Sequence, residues 1–61
     1  MPIVRIEMWT GRTPAQKAEL AKAITEAVVR IAKTAPEATV VVFQDVDKEN
    51  WATGGVLASQ S

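Results

Sequence analysis

The sequence predicts an α+β protomer in which one helix connects two parallel strands. Three observations support this order: apolar residues alternate in segment 2–9, they recur at helical spacing in segment 14–33, and segment 39–46 is rich in β-branched residues. The helix is long enough for a crossover, so we expect parallel strands joined by a right-handed connection. With only 61 residues, the chain is expected to form a single domain spanning 1–61.

The first strand is predicted from an apolar period of two. One face of segment 2–9 is wholly apolar and carries Val4, Ile6 and Met8. The other face is mixed and carries Ile3, Arg5, Glu7 and Trp9. The pattern is broken at Thr10 and Gly11, where the strand is expected to end.

The helix is predicted to begin at a capping box. Thr13 can cap the helix, Pro14 suits the first helical position, and Gln16 completes the box. The apolar positions then follow a spacing of three and four; they are Leu20, Ile24, Ala27, Val28 and Ile31. Because Pro36 prevents much continuation, the helix is expected to span 14–33.

The second strand is predicted from Thr39 to Phe43, extending toward Val46. Both of its faces are apolar, which is typical of a strand that is covered on both sides. In the tail, Gly54-Gly55 indicates a turn, with a short extended piece at 56–59. A short C-terminal hairpin is therefore expected.

The composition excludes several classes of function. The chain has no cysteine and no histidine, which removes disulfides, thiolate metal sites and the usual general base. Its net charge is 0, so nothing favours binding to nucleic acid or to an anionic membrane. The acidic residues of the tail (Asp45, Asp47 and Glu49) lack the glycine and the distal glutamate of a calcium loop, so no metal is expected. No signal peptide or membrane span is visible, which favours the cytoplasm.

Hydrophobic residues make up 48% of the chain, a high share for so small a protein. A chain of this size has only a marginal core of its own. Pairing of sheet edges between two protomers would give a four-stranded sheet and bury part of this surface. Self-association is thus expected from the residues alone.

One unusual base remains at the start of the chain. If Met1 is removed, Pro2 begins the mature chain with a secondary amine. An α-amino group has a reference pKa of about 7.7–8.0, which burial or a nearby cation lowers. Such a base suits proton abstraction next to a carbonyl. The alternative is that Pro2 merely opens an edge strand.

The chain resembles the 4-oxalocrotonate tautomerase family over nearly its whole length. The residues that carry the resemblance are Pro2 after Met1, Gly11-Arg12-Thr13, Gln16-Lys17, Ala35-Pro36, Trp51 and Gly54-Gly55. The resemblance implies β-α-β protomers that pair into dimers and assemble as hexamers, either of one chain or of two. It also implies a cytoplasmic isomerase without a cofactor, acting on a small enol carboxylate in the catabolism of aromatic compounds.

The resemblance assigns roles to three residues. Pro2 matches the proline that acts as general base and moves a proton within a dienol or enol, giving a conjugated ketone. Arg12 matches the arginine that binds the substrate carboxylate, a task for which a guanidinium is well suited; the alternative is an ordinary surface arginine. Trp51 stands where the family usually has Phe or Tyr as a hydrophobic wall of the pocket, and it could instead, or in addition, seal a subunit interface.

Val41 departs from the family pattern. It stands where well-studied members carry a second arginine that binds the substrate oxygen and nearby carboxylate. Three explanations are open: the substrate has one carboxylate, Arg5 substitutes, or a partner subunit supplies the arginine. The expected activity is tautomerisation of 2-hydroxydienoates (2-hydroxymuconate-like) or phenylenolpyruvate-like compounds. The alternatives are a non-catalytic or partner subunit of a heterohexamer, or a side-branch hydratase or dehalogenase.

Overall fold

The predicted β-α-β order is confirmed by a computed structural model, which describes residues 1–60. The strands and helix are β1 (Ile3–Trp9), α1 (Pro14–Ala32), β2 (Val40–Val46), β3 (Ala52–Thr53) and β4 (Val56–Leu57). Short 3₁₀ turns lie at Pro36–Ala38, Lys48–Asn50 and Ala58–Gln60. The first of these turns shortens the second strand, which begins at Val40 rather than at Thr39.

Strands β1 and β2 form a parallel two-stranded sheet. Ile3 pairs with Val40 and Trp9 pairs with Val46, so the strands match over their full length. Residues paired in this way point to the same side of a parallel sheet. One side therefore carries the more buried residues of β1 and is covered by α1; it holds Val4, Ile6, Met8, Val41, Phe43 and Asp45. The other side is open and includes Ile3, Arg5 and Val42.

Helix α1 begins as predicted and ends one residue early. Thr13 accepts a hydrogen bond from the backbone of Gln16, and the Gln16 side chain accepts one from the Thr13 backbone, so the capping box is complete. Lys33 is the C-cap, with a left-handed φ of 59°. No helix within residues 1–60 combines the length and the apolar character that crossing a membrane demands.

The tail folds back as the expected hairpin. Strand β3 pairs with β4 in antiparallel fashion, and the turn between them is Gly54-Gly55, with φ values of 61° and 82°. Two-residue hairpin turns favour glycine because they often need positive φ at both positions. The extended piece was expected to reach residue 59, which is wrong: β4 ends at Leu57 and a 3₁₀ turn follows.

The protomer is thin, and within residues 1–60 it fully buries no side chain. Ile31 is 69% exposed and Ile3 is 52% exposed, although both are large and apolar. The radius of gyration is 14.5 Å, whereas a compact chain of this length has a radius of about 10–11 Å. The shortest dimension is 14 Å, which leaves room for one sheet and one helix layer only. The protomer thus lacks the core that a stable monomer needs.

We expect thermal unfolding of this protein to depend on its concentration. If association supplies the missing burial, the apparent Tm should rise by several degrees across about a hundredfold range of chain concentration, because mass action stabilises the associated native state. Circular dichroism melts and native mass spectra of the same samples measure this. A constant Tm together with a monomeric native mass would contradict the prediction.

Candidate active site

Pro2 and Val41 lie at the end of the sheet where both strands begin. Pro2 is half-buried, and its carbonyl oxygen accepts a hydrogen bond from the backbone N–H of Val40 at 3.0 Å. Val41 follows directly, is half-buried, and pairs with Val4 on the side that α1 covers. The entry of β1 is thereby tied to the entry of β2.

Arg12 lies at the opposite end of the sheet, on a short connection held at both sides. Before it, the N–H of Thr10 donates to the carbonyl oxygen of Val46 at 3.2 Å. After it, Thr13 is fixed by the capping box of α1. Between them, Gly11 has a φ of 121°, a backbone conformation that would be strained in a residue with a side chain. Arg12 itself is exposed and has no ion-pair or hydrogen-bond partner within residues 1–60.

Trp51 is half-buried and packs against Trp9, the last residue of β1. The ring centroids are 6.0 Å apart and the ring planes cross at 77°, an edge-to-face contact. The backbone of Trp51 is held on both sides: its N–H donates to Lys48 at 3.3 Å, and its carbonyl oxygen accepts from Ala58 at 2.7 Å. Lys48 also places its ammonium nitrogen 4.8 Å from the centre of the Trp9 ring, a cation–π contact.

The other charges at this end of the sheet are mostly compensated. Lys17 on α1 forms an ion pair with Asp45 on β2, with 2.5 Å between Nζ and Oδ2. Asp47 and Glu49 flank Lys48 in the chain. Within residues 1–60 no three acidic side chains gather into a metal-binding group. Among the described residues at this end of the sheet, Arg12 is the cation with neither an ion pair nor a ring contact.

Sequence reasoning missed Trp9 and Lys48 as members of this cluster. The alternation in β1 assigned Trp9 to the mixed face, but spacing carries no information on a contact with a residue 42 positions later. Lys48 was equally hidden, because it belongs to a charged stretch that is typical of solvated surface. The only available signal was that each tryptophan is followed within four residues by glycine, so that each stands beside a break in the pattern.

The sequence-predicted residues therefore separate into two groups within one protomer. Pro2 and Val41 are at the beginning of the strands, whereas Arg12 and Trp51 are at their end. With about 3.3 Å per strand residue, the seven residues of β1 separate the two groups by about 20 Å. A single protomer does not bring Pro2 and Arg12 around one small molecule.

Comparison with known proteins identifies the family. The family described as tautomerase enzyme matches residues 2–60. This chain belongs to the tautomerase family. It is 44% identical to a 2-hydroxymuconate tautomerase of Pseudomonas putida over an alignment 61 residues long that covers 98% of this chain and 95% of that protein.

Solved structures agree with this assignment. YwhB, a homologue of 4-oxalocrotonate tautomerase, superposes with a TM-score of 0.94 at 33% identity, over 98% of each chain. A heterohexameric 4-oxalocrotonate tautomerase from Chloroflexus aurantiacus superposes with a TM-score of 0.91 at 32% identity, over 98% of this chain and 97% of that one. The expected family and the β-α-β fold are confirmed, and this tautomerase is an enzyme of the isomerase class.

Proposed function

We propose that this tautomerase moves a proton within a 2-hydroxydienoate (2-hydroxymuconate-like) or phenylenolpyruvate-like substrate, with the amine of Pro2 as the base. The observation that carries the proposal is the similarity, over almost the full length of both chains, to a 2-hydroxymuconate tautomerase. The composition adds support, because the chain offers no histidine, cysteine or tyrosine as an alternative base. Its natural setting would be the catabolism of aromatic compounds in the cytoplasm.

The proposed step needs only a proton shuttle. The unprotonated Pro2 nitrogen takes the proton of the enol hydroxyl while the carbonyl forms. The resulting ammonium then gives a proton to a carbon of the conjugated system, so that the substrate is isomerised and the base is regenerated. Arg12 would hold the substrate carboxylate through two parallel hydrogen bonds, and Trp51 would exclude water from the apolar side. No cofactor is needed, because no electrons are gained or lost.

A complete site requires a second copy of the chain. Two protomers that pair through sheet edges around a two-fold axis run antiparallel, which brings the beginning of one sheet beside the end of the other. Pro2 of one protomer would then face Arg12 and Trp51 of the partner. The separation of about 20 Å between these groups within one protomer supports this arrangement. Further association of dimers into a hexamer would cover the open sheet face, and the whole chain would act as one domain.

Val41 bears on the choice of substrate. It is apolar and half-buried, so it offers no hydrogen bond to the substrate oxygen. Arg5 is a weak substitute, because it lies in the middle of β1 on the open side and pairs with Val42. The valine at position 41 is better explained by a substrate with one carboxylate, or by an arginine supplied by a different subunit, than by a substitution through Arg5.

An arginine supplied by a different subunit leads to an alternative function for this chain, that of a partner subunit in a mixed hexamer. The specific observation in its favour is the combination of Val41 with the similarity to a heterohexameric 4-oxalocrotonate tautomerase. In that case this chain contributes some groups to each site and has little activity alone. A side-branch hydratase or dehalogenase of the family is a third candidate, with no structural observation in its favour.

Removal of Met1 should decide whether Pro2 is the base. A chain that retains Met1 has an amide nitrogen at Pro2, which accepts no proton near neutral pH, so its kcat should fall by about 10²–10⁴-fold. Two preparations of verified mass, one starting at Met1 and one at Pro2, are compared with phenylenolpyruvate and 2-hydroxymuconate. In the processed chain, kcat/KM should rise with pH, since only the unprotonated amine is the base. Equal rates in correctly assembled preparations would exclude Pro2.

Arg12→Ala should raise KM for carboxylated enols, because a charged hydrogen-bonding group is lost. A lowering of kcat/KM by about 10- to 100-fold is expected from the usual strength of such hydrogen bonds. Arg30→Ala is the matched control, since this arginine is also exposed but lies in the last turn of α1, about 24 Å from the start of the helix. If both variants behave alike in steady-state kinetics, Arg12 does not bind the substrate.

Mixing two impaired chains tests whether the site is shared. A chain that retains Met1 lacks the base but has Arg12, whereas the Arg12→Ala chain starting at Pro2 has the base alone. After random reassociation in equal amounts, about a quarter of sites between two chains should hold both intact groups. The activity at low substrate concentration should therefore reach about that fraction of the wild-type value. If mixing yields only the average of the separate activities, the site lies within one chain.

A further inference from the structure

The rings of Trp9 and Trp51 meet nearly at right angles, and we call this pair the aromatic corner. Trp9 is 39% exposed although its ring meets Trp51 at 77° and Lys48 approaches it. The protomer therefore leaves part of the Trp9 indole surface exposed. Two perpendicular rings offer a third ring both a face and an edge, the two modes in which aromatic groups attract each other.

Arg12 is close to this corner along the chain. Only Thr10 and Gly11 separate it from Trp9, so the two Cα atoms are no more than about 11 Å apart. The hydrogen bond from Thr10 to Val46 and the capping box at Thr13 fix both ends of this connection. A carboxylate bound by Arg12 would hold the remainder of its molecule within reach of the two indoles.

The corner is poorly suited to a second carboxylate. The faces of indole rings carry a negative potential. Lys48, the nearest cation, lies over Trp9 and has Asp47 and Glu49 as its chain neighbours, while Lys17 is paired with Asp45. Val41 adds no charge at the other end of the sheet. At this end of the sheet the described residues thus supply Arg12, a cation without a partner contact, beside an aromatic surface over which Lys48 lies.

We propose that Trp9, together with Trp51, determines specificity by receiving an aryl group of the substrate, so that arylenolpyruvates are preferred to dicarboxylic dienols. This inference rests on the proposed function in that the substrate is an enol carboxylate held by Arg12. It adds Trp9, which neither the sequence motifs nor the comparisons assign to the site. The preference arises because the ring gains aromatic contacts while a second carboxylate would be desolvated without a partner.

The test is the ratio of kcat/KM for phenylenolpyruvate to kcat/KM for 2-hydroxymuconate. Trp9→Leu should lower this ratio by about 3- to 10-fold, the usual worth of an aromatic pair, while Trp9→Phe should keep most of it. Phe43→Leu is the matched control, because Phe43 is the only other aromatic residue of the chain and is half-buried under α1. It should leave the ratio unchanged. An unaltered ratio in Trp9→Leu, or an equal fall in Phe43→Leu, would overturn the proposal.

Binding without turnover separates this inference from the proposed function. Cinnamate and trans,trans-muconate do not react, and their affinities are measured by quenching of tryptophan fluorescence in the chain that starts at Pro2. Cinnamate should bind the wild-type chain at least about 3-fold more tightly, and Trp9→Leu should abolish this difference. If the wild type turns over neither enol, the proposed function fails, whereas the affinities still decide the role of Trp9. Equal affinities in the wild type would overturn the inference, whether or not the Trp9→Leu chain assembles.

Discussion

A single helix covers only one side of the β1–β2 sheet, and this shortage of cover constrains the rest of the protein. Ile3, Val40 and Val42 line a side that α1 does not reach. Burying apolar area contributes about 25 cal/mol per Å², and such burial is the main gain that offsets the ordering of the chain. A protomer that buries no side chain fully obtains too little of it. For this reason we expect the stability of the fold to depend on the association of several chains.

The same constraint explains how the chemistry is divided. If the chain must associate with another copy to be stable, a site shared between two chains requires no association beyond the one that stability already requires. The two strands of the parallel sheet begin at one end and finish at the other, so Pro2 and Arg12 lie about 20 Å apart in each protomer. The proposed two-fold pairing would join them twice per dimer. In the proposed dimer, folding, assembly and activity would be coupled through one edge of the sheet.

Much of this arrangement follows from local sequence signals. The period of two in β1, the capping box at Thr13 and the paired glycines of the hairpin turn each specify a local structure, and each was predicted correctly. The end of strand β4 was not predicted correctly, because Ala58 and the residues after it include no glycine or proline that would indicate a 3₁₀ turn. The site was predictable only as a set of candidates. The end of the sheet at which each candidate lies depends on the register of the strands. The contact of Trp9 with Trp51 depends on how the tail folds back onto the sheet. Both are long-range properties that local sequence signals do not specify.

The short connection around Arg12 has an effect on binding entropy. Its backbone is tied to the sheet through Thr10 and to the helix through Thr13, so the chain there is ordered before any ligand arrives. An arginine on a mobile loop would lose backbone freedom on binding, which costs about 1–2 kcal/mol for each residue ordered. Here only the side-chain rotamers of Arg12 have still to be restricted. The folding of the helix start thus preorganises the backbone of Arg12, and in the proposed role of Arg12 as the carboxylate-binding residue a larger share of the contact energy would be left for affinity.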